Sequence, residues 1–223
     1  SSPCKRYGKE FSVLMHGDDV TRFKSSPLVL KPEKDTYWIV CTGVFNKNRK
    51  PLLDDLDQAC DYLIAKGIQV QATVFSVTIQ KETLSSSKWR HINIESCPAH
   101  NELPGVLKSA DILFLPERFD ESSEGISMSI SSKTPLFMFS EKPIVVYSSS
   151  VTGIAKYAQE EGWAAVVDER DPIKLAGTFE KIITNCYDRQ RLVKIAKKTA
   201  MLNHDIKTIQ DNFFTLLTEG YQH

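Results

Sequence analysis

From Thr36 onward, short apolar runs alternate with longer segments in which apolar residues recur at helical spacing. The short runs predict β-strands, and the helical spacing predicts amphipathic helices between them. The predicted strands are Tyr37–Thr42, Val70–Val77, Ile92–Ile94, Asp111–Pro116, Ile144–Tyr147 and Ala164–Val167. Strands that alternate with helices form a parallel sheet covered on both faces. We therefore predict an α/β fold with a doubly wound, Rossmann-like parallel sheet.

The predicted helices carry start and stop signals. Pro51 opens the first helix, which runs to about Lys66, and Gly67 ends it. The other predicted helices are Asn101–Ala110, Val151–Glu161, Asp171–Ile183, Asp188–Met201 and Asp205–Tyr221. The last two extend beyond the alternating pattern. This organisation divides the chain into a hinge or linker segment (1–35), a Rossmann-like lobe (36–187) and extra C-terminal helices (188–223).

The stretch from Glu121 to Tyr147 combines a polar loop, a short helix and a buried strand. Thr134 or Ser132 is placed to cap the helix, because Pro135 suits its first turn, and the helix is predicted to run to about Glu141. A helix start with an ammonium group beside it, here Lys133, attracts an anion. The alternative is an ordinary capped helix with a solvated lysine.

Composition narrows the class of protein. The chain has 223 residues, 41% hydrophobic and 25% charged, which is typical of a globular protein. Its 28 basic and 28 acidic residues cancel, so neither nucleic acid nor an anionic membrane is expected as the main partner. Five cysteines without a CxxC pair indicate a reducing compartment. With no signal peptide and no transmembrane run in the sequence, we expect a cytoplasmic location.

Candidate chemistry lies in the loops that follow the predicted strands, because a doubly wound sheet binds ligands at the carboxyl ends of its strands. Gly43 allows backbone to approach a ligand closely, and Arg49 in the basic loop after it can neutralise phosphate. Glu121 and Glu124 could form an acid/base pair, although exposed acids are the simpler interpretation. The sequence has no metal-ligand spacing, Walker loop, GxGxxG or GxSxG motif, so we predict no metal and no cofactor.

Several segments, in order, resemble the C-terminal, donor-binding lobe of GT-B-fold glycosyltransferases of the retaining, bacterial polysaccharide type. His16–Phe23 (HGDDVTRF) resembles the NGVDxxRF hinge of that family. Ser129–Tyr147 resembles its S.PTK..EYLASGKPIL.Y segment. The other matching segments are Trp38–Ala59, His100–Pro116 and Gly162–Ile182. The resemblance covers roughly residues 12–200 and implies a nucleotide diphosphate-sugar as the ligand.

The chain departs from this pattern at several positions. Alignment through Lys142-Pro143 puts Leu136 where the family has the carboxylate that grips the nucleotide ribose. Glu141 replaces a glycine, and Val44 replaces an arginine that often follows the first-loop glycine. A leucine cannot accept a hydrogen bond from a hydroxyl group. These departures leave the catalytic residues unassigned.

The resemblance implies that Gly43, Arg49, Ser132, Lys133 and Thr134 bind the diphosphate of a nucleotide diphosphate-sugar, whose base would lie near Ile94–Pro98. It also implies sugar transfer to a glycan or lipid-linked acceptor, with an N-terminal lobe of the same protein or a partner subunit completing the enzyme. Peripheral attachment at the inner face of the membrane stays open. The alternatives are a non-catalytic GT-B-like module that binds a nucleotide-sugar or a partner, and a doubly wound interaction domain.

Overall fold

A computed structural model describes residues 14–45, 49–76, 89–119 and 126–219. Its six strands are β1 (Tyr37–Gly43), β2 (Val70–Ser76), β3 (Ile92–Ser96), β4 (Ile112–Pro116), β5 (Ile144–Tyr147) and β6 (Ala165–Val167). Its helices are α1 (Thr21–Ser25), α2 (Lys50–Ala65), α3 (Leu103–Ser109), α4 (Thr134–Phe139), α5 (Gly153–Glu161), α6 (Pro172–Thr184), α7 (Cys186–Asn203) and α8 (Ile206–Glu219). Among the described residues, no helix combines the length and apolar character needed to span a bilayer.

The six strands form one parallel sheet in the order β3-β2-β1-β4-β5-β6. The strand order reverses between β1 and β4, where the chain leaves the β3 edge and returns to the other side of β1. In a doubly wound sheet, ligands bind in a crevice outside the carboxyl ends of the strands at such a reversal, which here lies at the ends of β1 and β4. The predicted α/β, doubly wound architecture is confirmed.

The sheet is buried on both faces because its strands carry apolar residues at odd and even positions alike. In β1, Ile39 and Cys41 pack with α2 and α6, whereas Trp38 and Val40 pack on the opposite face with α3, α4, α5 and α7. Successive side chains of a strand point to opposite faces, so one continuous apolar run supplies two cores. The C-terminal helix α7 contributes Leu192 to one core and Ala196 to the other.

Helix ends follow local signals in most places. Asp171 accepts hydrogen bonds from the N–H groups of Ile173 (2.8 Å) and Lys174 (3.2 Å), and Thr152 accepts one from Ala155, so each caps the helix that follows it. Gly162 closes α5 with a left-handed φ of +70°. Pro172 occupies the first turn of α6, where its fixed φ suits a helix and its missing N–H removes no helical hydrogen bond.

The prediction for α4 was wrong in two respects. Its N-cap is Lys133, and neither Thr134 nor Ser132 caps the helix with its side chain. The helix ends at Phe139, and Glu141 then adopts a left-handed backbone with φ of +55°. This conformation favours glycine, which is the residue the resembling family has at that position. The helix stops early because the chain must reverse sharply into β5.

His204 joins the segment before α1 to the junction of α7 and α8. The ring is fully buried, its Nδ1 donates to the His16 carbonyl (2.9 Å), and its Nε2 lies 3.1 Å from the Tyr157 hydroxyl. Asn203 donates to that hydroxyl (3.0 Å), which leaves the Tyr157 proton for Nε2. This network requires a neutral imidazole, and burial lowers the His204 pKa from its ordinary value of 6.5.

We expect acid to weaken the fold through His204. Because its folded-state pKa is lowered, the unfolded chain binds more protons below about pH 6.5, so stability falls as the pH drops from 6.5 towards the folded-state pKa. Urea unfolding between about pH 7.5 and 5 should show this loss. Replacement of the exposed His100 by Gln should preserve the pH dependence, whereas His204→Gln should flatten it. An unchanged slope in His204→Gln would contradict the assignment.

Candidate active site

The crevice at the carboxyl ends of β1 and β4 brings together residues that are far apart in sequence. Gly43 ends β1, Arg49 immediately precedes α2, Glu117 immediately follows β4, and Lys133 immediately precedes α4. Each position follows from the parallel topology, because every strand delivers its next loop to this edge of the sheet. The site is therefore built at the point where the strand order reverses.

Gly43 provides the space that Lys133 occupies. A Cβ atom at Gly43 would lie 3.4 Å from the Lys133 ammonium nitrogen, and further atoms of the lysine side chain follow at 3.7 and 3.8 Å. Gly43 also has a φ of +147°, a backbone conformation that residues other than glycine rarely adopt. The glycine thus lets the lysine lie directly over the end of β1.

The Lys133 side chain is partly buried, so it is not the solvated lysine of the alternative interpretation. Burial lowers the pKa of its ammonium, while the Glu117 carboxylate opposes this effect and Arg49 reinforces it. Among the described residues, no carboxylate lies within ion-pair distance of the Lys133 ammonium. The cation is therefore partly shielded from water, and the described residues supply no direct counter-charge to it.

Glu117 was not predicted as a site residue. It is 7% exposed, and its Oε2 accepts a hydrogen bond from Arg49 Nη2 at 2.8 Å. Its backbone N–H donates to the Tyr147 carbonyl (2.9 Å), which fixes the residue against β5. Its position in the sequence could have identified it. Glu117 is the first residue after the predicted strand Asp111–Pro116, and doubly wound sheets bind ligands at the carboxyl ends of their strands.

The other candidate residues contribute less directly. Ser132 is exposed, and the Thr134 N–H already donates to the Ser131 carbonyl (2.9 Å). The Thr134 hydroxyl is buried and has no hydrogen-bond partner among the described residues. Roles for Ser132 and Thr134 in binding stay predictions. The predicted candidates Glu121 and Glu124 lie outside the described residues.

Cys41 lies beside the two cations but is not prepared for nucleophilic chemistry. The thiol is fully buried on β1, and burial raises its pKa to about 12 although Lys133 and Arg49 act in the opposite direction. A thiol nucleophile requires a depressed pKa and access to the reacting molecule. Within the described ranges, no group of three or more His, Cys, Asp or Glu residues could hold a metal ion. The arrangement is suited to holding an anion.

No protein-family model matches the chain, and no curated protein matches its sequence. Solved structures resemble its fold. Sucrose-phosphate synthase from Thermosynechococcus elongatus superposes with a TM-score of 0.70 at 13% identity, over 98% of this chain and 55% of that one. Anabaena HepE in complex with UDP-glucose gives a TM-score of 0.67 at 14% identity, over 93% and 57% of the two chains.

A third structure is the C-terminal domain of a glycosyl transferase group 1 family protein, LpcC, from Francisella tularensis. It gives a TM-score of 0.60 at 14% identity and covers 85% of this chain and 100% of that one. The chain spans about half the length of the synthases and of HepE. The chain therefore has the Rossmann-like fold of a C-terminal lobe of the GT-B glycosyltransferases.

Proposed function

We propose that this chain is the donor-binding lobe of a glycosyltransferase and holds a nucleotide diphosphate-sugar for transfer to a glycan or lipid-linked acceptor. The observation that carries the proposal is the pair of cations, Lys133 and Arg49, at the carboxyl-end crevice of the sheet. A diphosphate would provide the counter-charge that Lys133 lacks among the described residues. Guanidinium and ammonium groups both form charge-assisted hydrogen bonds with phosphate oxygens.

The same two cations would serve the chemistry as well as the binding. Negative charge builds up on the leaving diphosphate as the glycosidic bond breaks. Fixed positive groups that face this charge in a water-poor site stabilise the transition state more than the ground state. In this proposal Lys133 and Arg49 stabilise the leaving group, and Arg49 exchanges the Glu117 carboxylate for a phosphate oxygen when the donor binds. The UDP-glucose complex of HepE, a protein with a similar fold, supports a donor of this class.

An N-terminal lobe or partner subunit is expected to complete the enzyme. The exposed apolar residues of α8 support this part of the proposal, since Phe213 and Phe214 are 46% and 63% exposed. Exposed apolar patches mark interaction surfaces in many proteins. A covering partner would bury this side of α8. Turnover of a nucleotide-sugar by the isolated 223-residue chain would contradict the requirement for a second lobe.

A non-catalytic module is the second candidate, and one observation favours it. Leu136, at the position of the family's ribose-binding carboxylate, packs against the apolar core. A lobe with this residue would bind a donor or a partner without the usual grip on the ribose. A parent protein that binds the donor in calorimetry but transfers no sugar to any acceptor would favour this candidate over the enzyme.

A thermal-shift screen tests donor binding directly. UDP-, GDP- and ADP-sugars carry a diphosphate, whereas CMP-sugars carry a single phosphate and serve as the matched control. A ligand at about 100 times its Kd stabilises the folded state by about 2.7 kcal/mol, so at least one diphosphate donor should raise the melting temperature clearly above the CMP-sugar value. A melting temperature that no diphosphate donor changes would contradict the proposal.

A further inference from the structure

A second cleft lies at the opposite, amino end of the sheet. It has a volume of about 700 Å³ and opens where β1, β4 and β5 begin, beside the end of α6 and along α7. Ile112, Ile182 and Ile183 contribute an apolar floor. Small-molecule sites typically have volumes of about 300–1,000 Å³ and apolar linings with a few polar groups. We call this feature the amino-end cleft.

Two partly buried cations, Lys142 and Arg189, line the amino-end cleft without an ion-pair partner among the described residues. Neither Lys142 nor Arg189 lies within ion-pair distance of a carboxylate in the part of the chain that the structure describes. The Arg189 side chain donates a long hydrogen bond from Nη1 to the Ile183 carbonyl at 3.4 Å. Lys194, on the next turn of α7, lies exposed at the rim. Three cationic side chains therefore line one opening.

The carboxylates that line the same cleft are already engaged. Asp111 accepts from Lys31 at 2.6 and 2.7 Å and from the Trp38 backbone N–H at 2.8 Å. Glu141 pairs with Lys197 at 2.8 Å. Burial lowers the pKa of Lys142; Asp111 opposes this, and Lys31 and Arg189 reinforce it. A partly desolvated cation without an ion-pair partner is costly, so an anion that enters the cleft would supply the direct interaction that the described residues do not.

We propose that the amino-end cleft binds the phosphate group of a small organic phosphate. Lys142 and Arg189 contact the phosphate oxygens, and Lys194 closes over them from the rim. The planar guanidinium of Arg189 can donate two parallel hydrogen bonds, and the Lys142 ammonium adds a compact charge beside it. The apolar floor accommodates the organic part of the ligand. This site is separate from the carboxyl-end crevice and does not depend on the function proposed for that crevice.

Residue-resolved NMR with inorganic phosphate and phenyl phosphate tests this proposal at constant ionic strength. Both probes should produce saturable shifts of the amides of Lys142, Arg189 and Lys194, and phenyl phosphate should bind more tightly because its ring covers the apolar floor. A shift of the Gly43 amide would report phosphate binding in the carboxyl-end crevice, and its titration curve is fitted separately. Lys142→Met and Arg189→Met should each weaken phosphate binding at the cleft by about ten-fold or more, since each removes a charge-assisted contact.

Lys198→Met is the matched control, because Lys198 is exposed on α7 and does not line the cleft. It should leave phosphate affinity unchanged. Co-sedimentation with phosphatidylglycerol vesicles, compared with phosphatidylcholine vesicles, tests whether a lipid supplies the phosphate. A lipid is the source if the wild type and Lys198→Met bind the phosphatidylglycerol vesicles and Lys142→Met and Arg189→Met do not. Melting temperatures confirm that the variants are folded. Shifts that do not saturate, or equal affinity in Lys142→Met, Arg189→Met and the wild type, would overturn the proposal.

Discussion

Lys133→Met should weaken the binding of a nucleotide diphosphate-sugar by about ten-fold or more, since a charge-assisted contact contributes roughly 1.5–3 kcal/mol. The same substitution should raise the melting temperature of the free protein. Burial lowers the pKa of the Lys133 ammonium, which means that the folded state disfavours the charged form, and Met keeps the apolar stem without the charge. Titration calorimetry and thermal unfolding measure the two effects separately.

The pH dependence of this stability gain has a definite sign. A lysine whose folded-state pKa is lowered binds fewer protons in the folded state than in the unfolded state just below its ordinary value of 10.5. Wild-type stability should therefore rise relative to Lys133→Met as the pH approaches 10.5. The melting-temperature difference between the two proteins should shrink over this range. A constant difference would show that charge burial is not its cause.

Arg49→Met and Glu117→Gln are the comparison variants for Lys133→Met, because each changes the charge of a different side chain in the same crevice. Arg49→Met should also weaken donor binding, but it should lower stability by about 1–3 kcal/mol, since the nearly buried Glu117 carboxylate loses its partner. Glu117→Gln removes the negative charge that competes with the diphosphate, so it should strengthen binding. Unchanged donor affinity in Lys133→Met would place the phosphate site elsewhere.

Asp55→Ala should lower the free energy of unfolding by about 2–4 kcal/mol. Asp55 is 4% exposed on α2, where it accepts hydrogen bonds from Arg170 Nε (2.7 Å) and Nη2 (3.1 Å) and from the Tyr147 hydroxyl (3.1 Å). These contacts join α2, the end of β5 and the loop after β6. Loss of the carboxylate leaves the buried Tyr147 hydroxyl without an acceptor. Urea unfolding monitored by circular dichroism measures the change.

The matched control for Asp55→Ala is Glu169→Ala. Glu169 also forms an ion pair, with Lys174, but its side chain is 67% exposed. An exposed ion pair contributes about 0–1 kcal/mol, so this variant should be nearly neutral. Tyr147→Phe should fall between the two, because it removes one hydroxyl and leaves the Arg170 contacts in place. Equal stabilities of Asp55→Ala and Glu169→Ala would show that the network contributes little.

Glu141 occupies a position whose backbone conformation favours glycine. Its left-handed φ of +55° occurs directly after α4, where the chain reverses into β5. A glycine satisfies this geometry without strain, whereas a residue with a Cβ atom does so at a cost. The Glu141–Lys197 ion pair ties the turn to α7.

The sequence alone predicted the six strands, the helices from Pro51 onward and the class of fold, although not α1, which lies in the predicted hinge or linker segment. Apolar runs of strand length, amphipathic segments and signals such as Pro51 and Gly67 act over a few residues, so they can be read without knowledge of the rest of the chain. The alternation of strands and helices then restricts the sheet to a parallel one. The placement of Gly43 and Arg49 at the carboxyl edge followed from this topology. Their role in binding stays a prediction.

Only the tertiary structure decided which groups meet and how far water is removed from them. Glu117 and Arg49 are 68 positions apart, and no periodic pattern along the chain encodes their 2.8 Å contact. Lys133 is partly buried over Gly43, and Lys142 has no ion-pair partner among the described residues while Asp111 is held by Lys31. Desolvation and pairing are properties of a three-dimensional neighbourhood, which local residue preferences do not specify.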